Sequence, residues 1–203
     1  MKKLYLALPL VFAFSACGDD NDSGNANAND GNSDISSYND IDFVKSQKTE
    51  FDDGITLGDA LESWVSCKDT YWEEQDTDID ARAVRFTCEL KISDYMSALK
   101  RLLPEDQANA EHLDISSRAQ AFTFLIEPDG NLRFGIANGY ITWADGLSSE
   151  NFRVTEQYMA KVFANEHLFD ANELTADSAA EAYEELESER HVAEIHNRLF
   201  GGD

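Results

Sequence analysis

Between Arg82 and Lys91 the chain alternates without a fault: Val84, Phe86, Cys88 and Leu90 on one side, Arg85, Thr87, Glu89 and Lys91 on the other. A period of two matches the pleat of a strand with one buried face and one wet face. Such a strand excludes an all-helical fold, and it requires neighbouring strands and a second layer over its apolar side. Residues 121–127 and 132–137 read as two further strands, joined by the turn Pro128-Asp129-Gly130-Asn131. Tyr71-Trp72-Glu73 and residues 140–143 read as short strands, the latter after a break at Asn138-Gly139.

Helical periodicity fills the rest. Thr56 can cap a helix that Asp59 answers three residues on, and Leu57, Ala60, Leu61, Trp64 and Val65 then form one apolar stripe. Residues 93–103 read as a helix stopped by Pro104, with Tyr95, Met96, Leu99, Leu102 and Leu103 on one side. The polar stretch up to Arg118 is expected to hold another short helical piece. Residues 149–165 read as a helix with Phe152, Met159, Val162 and Phe163 as its core face. Residues 175–199 form a long acidic helix whose apolar side, Tyr183, Leu186, Val192, Ile195 and Leu199, is thin and interrupted near Glu189-Arg190. That helix is expected to pack loosely. The fold class is α+β: an antiparallel sheet of about four to five strands packed against helices, with a C-terminal helical extension.

The N-terminus carries an address. Met1-Lys2-Lys3 is a short positive start, residues 4–14 are apolar, and Ser15-Ala16-Cys17 follows. Eleven apolar residues are too few to span a bilayer as a helix, which needs about 20, so the pattern is that of a secretory signal. Phe14-Ser15-Ala16-Cys17 resembles the lipobox read by the lipoprotein signal peptidase, with Phe14 in place of the usual leucine. That resemblance implies cleavage before Cys17 and lipidation of Cys17. Residues 18–37 are almost wholly Gly, Asn, Asp, Ser and Ala, a composition that cannot offset the entropy of ordering it. As a flexible tether these 20 residues reach about 25 Å. The expected organisation is therefore a signal peptide over 1–16, a lipidated cysteine and linker over 17–37, a globular α+β region over 38–165 and an acidic helical extension over 166–203. Gly18 after the cysteine favours the outer membrane, facing the periplasm. Asp19-Asp20 resembles the acidic run that exports some lipoproteins to the cell surface, which is the alternative.

Removing the signal takes away two lysines and no acid, leaving 14 basic against 40 acidic side chains, a formal −26. That charge repels nucleic acid and anionic headgroups, so no nucleic-acid partner is expected; a basic protein or a cation is compatible with it. With Cys17 assigned to lipid, Cys67 and Cys88 remain, and an even pair in an oxidising compartment reads as a disulfide. Its loop of about 22 residues is worth roughly 3 kcal/mol in the chain-entropy model. The expected staple runs from the end of the first helix to the inward position of Cys88.

The run Val44-Lys45, Thr56-Leu57-Gly58-Asp59-Ala60-Leu61, Trp72, Val84-x-Phe86-x-Cys88, Phe122-x-Phe124 and Asn138-Gly139 resembles a group of small Gram-negative envelope proteins with a core of the form "TIGEAF…W…VxFxG…F…NG". The likeness covers about residues 44–165 and implies a compartment and a fold, not a reaction.

Chemical motifs are weak. Ser97-Ala98-Leu99-Lys100 fits S-x-x-K, but the accompanying S-x-N and K-T-G elements are missing. His191 and His196, five residues apart on a helix, point about 140° apart and cannot close on one zinc ion. Asp76-Thr77-Asp78-Ile79-Asp80 starts like an EF-hand loop, yet Ala81 stands where glycine is needed and Thr87 where a bidentate Glu should close it. A solvated hairpin loop is expected there; a weak divalent site with Glu73 and Glu74 is the alternative. No catalytic residue, metal ligand or cofactor is assigned. The expected function is a lipid-anchored, non-catalytic envelope module that binds a protein or organises the envelope. The alternatives are an inhibitor of a basic secreted hydrolase such as lysozyme, or an enzyme of unrecognised type.

Overall fold

A computed structural model describes residues 39–77 and 82–200. Five strands form one antiparallel sheet in sequence order: β1 (Cys67–Gln75), β2 (Arg82–Leu90), β3 (Ile115–Ile126), β4 (Leu132–Trp143) and β5 (Ser148–Arg153). Among the described residues six helices accompany it: α1 (Asp40–Ser46), α2 (Leu57–Glu62), α3 (Ser93–Leu102), α4 (Glu105–Ala108), α5 (Thr155–Phe163) and α6 (Ala176–Phe200), with a 3-10 turn at Glu111–Leu113. The α+β expectation holds.

Alternation divides the sheet into two unlike faces. On the inner face Val84, Phe86 and Cys88 of β2, Phe122, Phe124 and Ile126 of β3, and Ala137 of β4 pack with Leu57, Leu61 and Trp64 around α2 and with Met159 and Val162 of α5. A second cluster on the same face joins Ile141 and Trp143 of β4 to Met96 and Leu99 of α3 and to Ala179, Leu186 and Ala193 of α6. Every described helix that enters these clusters lies on the inner side.

Local signals account for several elements. Thr56 Oγ1 accepts from the Asp59 amide at 3.1 Å and donates to its carboxylate at 2.8 Å, the reciprocal cap expected at the start of α2. The helix stops at Glu62, short of the full apolar stripe, because the Val65 amide turns out to the Asn165 side chain at 2.7 Å. Trp64 still reaches the core and donates its indole N–H to the Glu166 carbonyl at 2.7 Å. At the β3–β4 turn Gly130 takes φ +83°, the left-handed conformation its missing Cβ permits.

Four expectations need correction. Cys67 begins β1 and does not end a helix, so the disulfide ties neighbouring strands. The Asn138-Gly139 pair does not break β4: Gly139 faces Gln120 and Asn151 in the ladder, and a Cβ there would sit 3.2 Å from Arg153 Nε. Residues 148–153 are strand, not helix, and Phe152 is 74% exposed instead of facing the core. Finally, α6 is not loosely attached. Its docking face uses Ala179, Leu186 and Ala193, all 4% exposed or less, while Val192, Ile195 and Leu199 face solvent.

Candidate functional site

Lipidation at Cys17, the signal and the linker lie outside the described residues. Cys67 and Cys88 are bonded, with their Cα atoms 5.3 Å apart and both sulfur-bearing side chains in the inner cluster. This is a structural staple with no thiol to react. Ser97 is exposed on α3 while Lys100 is committed to Asp114 at 2.9 Å, so no nucleophile–base pair forms there. His191 and His196 are both exposed on α6. Among the described residues no three His, Cys, Asp or Glu side chains are placed to hold a metal ion; Asp78 and Asp80 lie outside those residues. No described helix is long and apolar enough to cross a membrane.

Two polar constructions remain. The first is internal. Arg118 of β3 is 9% exposed and stacks over the Phe169 ring, 4.4 Å from its centroid. Beside it Glu189 of α6 accepts from Arg153 Nη2 at 3.0 Å and from Asn151 Nδ2 at 2.5 Å. Burial pushes the Glu189 carboxyl above its ordinary range, against the downward pull of Arg118 and Arg153. The next residue, Arg190, bonds Asp145 at 2.6 Å and Glu194 at 3.2 Å and lies over Trp143. These consecutive side chains clamp α6 to the sheet. The open groove of about 570 Å³ between the β4–β5 turn and the end of α6 borders this clamp. Arg190, which lines it, is already paired with Asp145 and Glu194.

The second construction is the outer face. The strand registers align Tyr71, Thr87, Ala121, Asn138 and Phe152 in one row across all five strands. Asp69, Glu89, Ala119, Tyr140 and Glu150 form the next row, and Glu73, Arg85 and Thr123 lie on the other side with Ile136. Arg85 of β2 and Tyr140 of β4 meet above β3: the guanidinium lies 5.2 Å from the ring centroid and donates to the phenol oxygen. Ala121 beneath them is 2% exposed although no described helix covers it. Tyr140 then donates to Glu150 at 2.8 Å, and Asn138 donates to the same carboxylate. Burial, then the bond to Glu150, holds the Tyr140 hydroxyl above its ordinary pKa. The same face exposes Phe152 at 74% and Ile136 at 52% beside this polar bridge and Tyr71 at 59% on the far edge strand, and Val154, directly after β5, is 55% exposed. None of the four belongs to either core cluster. Large apolar side chains grouped in the open are the informative case, since isolated ones are ordinary.

The sequence reading missed this patch because it gave Phe152 to a helix. One local signal for the correct reading exists: Asp145-Gly146 is a hairpin dipeptide, and Gly146 takes φ +87° in the turn that leads into β5.

Among the described residues the chain is thus a five-stranded antiparallel meander with helices on one face and an exposed, partly apolar opposite face. It matches no known family model, no curated protein and no solved structure.

Proposed function

We propose that the protein is a lipid-anchored binding module of the bacterial cell envelope, tethered through Cys17 and holding another protein on its outer sheet face. The observation that carries this reading is the grouping of Ile136, Phe152 and Val154, each more than half exposed, beside the rigid Arg85–Tyr140–Glu150 bridge. Preorganised polar groups next to exposed aromatic and aliphatic anchors are what protein interfaces concentrate at their centres. The lipobox and the low-complexity segment after it supply a tether of about 25 Å, long enough to present that face away from a membrane surface. Formal charge gives a second reading a footing. At −24 for the whole chain, the molecule is suited to inhibit a basic secreted hydrolase of the lysozyme kind.

Two measurements test the proposal. Cys17→Ser should abolish incorporation of labelled palmitate and leave the precursor uncut; normal maturation and membrane fractionation of that variant would remove the anchor. A photo-crosslinking residue placed at Ile136 or Phe152 should capture a partner in intact cells, while the same residue at Ala160, exposed on α5, should not. Equal capture from both faces, or none from the sheet, would sink the docking surface. Inhibition of lysozyme by the purified chain, lost on Phe152→Ala, would select the second reading.

A further inference from the structure

Resting on that reading, we infer that the partner element held by the outer face is a basic amphipathic helix of another protein. Three observations lead there. First, what lies on the face of a sheet, as distinct from its edge, meets no free backbone groups, because the ladder bonds run within the sheet. An extended segment laid on Ile136 and Phe152 would leave its own N–H and C=O groups buried without partners, which is costly. A helix satisfies its backbone internally and presents side chains alone, as the helices on the inner face do. Second, the charge of the face is negative where it is free. Arg85 is the one cation in the three rows and is already held by Tyr140, with Glu73 4.0 Å away; at their margins Lys68 is paired with Glu89 at 2.9 Å and Arg133 with Glu127 at 2.8 Å. Glu73 and Glu150 remain exposed on either side of the apolar patch. Within a chain of formal charge −24 this face attracts lysines and arginines and repels both a second copy of itself and an anionic headgroup surface. Third, Tyr71 and Phe152 end the same row four strand spacings apart, about 19 Å at 4.8 Å per strand. A helix that touches both needs about 13 residues at 1.5 Å rise.

The experiment uses the full-length lipidated protein in detergent and, as probe, a synthetic 18-residue helix of lysine and leucine with one apolar face. Comparison peptides carry glutamate for lysine, or the same lysines and leucines scrambled so that no apolar face forms. The basic amphipathic helix should bind, and Glu73→Lys/Glu150→Lys should weaken it about tenfold or more. Phe152→Ala, a change at an exposed site that leaves the core intact, should weaken it several-fold. The same charge change on α6, Glu181→Lys/Glu184→Lys, should alter affinity less than about twofold, because nonspecific attraction alone would respond equally to either pair. Equal loss from the α6 pair, equal binding of the glutamate or scrambled peptide, or dimerisation of the protein that Phe152→Ala dissolves would each overturn the inference. If crosslinking at Phe152 still captures a partner in cells and the lysine–leucine helix does not compete with it, this inference falls while the binding-module reading stands. If the face captures nothing, both fall.

Discussion

Leu186 measures how firmly α6 belongs to the fold. It is 2% exposed and packs in the cluster formed by Met96, Leu99, Leu113, Ile141 and Trp143, so its side chain sits between the helix and the sheet. Truncation to alanine removes the buried methyl groups and leaves a void whose walls, two of them a strand-bound Trp and Ile, have little freedom to collapse inward. Leu→Ala changes at such sites cost about 2–5 kcal/mol. In a domain of this size 1 kcal/mol moves the melting temperature by about 2–4 °C, so a loss of about 3 kcal/mol lowers it by about 6–12 °C. Val192 lies six residues further along and is 61% exposed, and Val192→Ala should stay within about 0.5 kcal/mol of the parent. Thermal unfolding followed by circular dichroism compares the two directly. A shift of less than about 2 °C for Leu186→Ala, or equal shifts for both, would refute the docking. If the melting temperature held while amide exchange along α6 accelerated, the helix would open separately, and the account of one shared core would be wrong.

Three further outcomes follow from other contacts. Replacing Cys67 and Cys88 together by serine should cost about 3 kcal/mol, read as a lowered urea midpoint that the parent reproduces when reduced. His112 is 7% exposed, lies edge-on to Tyr183 and is held below its ordinary value of 6.5, mainly by burial, with Arg190 adding to the effect and Glu187 opposing it. A base depressed in the folded state contributes stability that is complete above the unfolded value and lost as pH falls from there through the folded one. Melting temperature should therefore drop more between about pH 7.5 and about pH 5.5 for the parent than for His112→Phe; equal drops would exclude this histidine. Glu189, raised by burial, acts with the opposite sign near the carboxylate range. Gly135→Ala would put a Cβ 2.9 Å from the Thr123 carbonyl oxygen at the β4 bulge, and should destabilise by about 1–3 kcal/mol in equilibrium unfolding.

Legibility in the sequence tracked how one-sided each element is. β2 was readable because from Val84 onward its inner face is apolar and its outer face polar. β1, an edge strand, mixes Lys68, Asp69, Glu73 and Glu74 with Tyr71 and Trp72, so only its centre stood out and Cys67 fell to the preceding helix. β4 carries a glycine that usually marks a turn, but here the glycine makes room for Arg153, a residue 14 positions on in the chain; no local window contains that reason. Residues 152–163 misled for a different cause. Phe152, Met159, Val162 and Phe163 match a helical face by spacing, and only the last three share one.

The same contrast explains α6 and the outer face. A helix whose apolar side is thin by hydrophobicity can still dock when small residues let it approach closely, and Ala179 and Ala193 do that while Leu186 fills the gap between. The apparent interruption at Glu189-Arg190 is then a point of attachment, because each charge meets a counterpart: Arg153 of β5 for Glu189, Asp145 of the β4–β5 turn for Arg190. Hydrophobicity along one chain segment cannot register a partner supplied by another. The outer patch is hidden for the complementary reason. Tyr71, Ile136 and Phe152 come from three strands, and only the register across the sheet puts them on one surface with the Arg85–Tyr140 bridge. A binding face built on a sheet is a property of register, and register is set by which strands pair, not by the composition of any one of them.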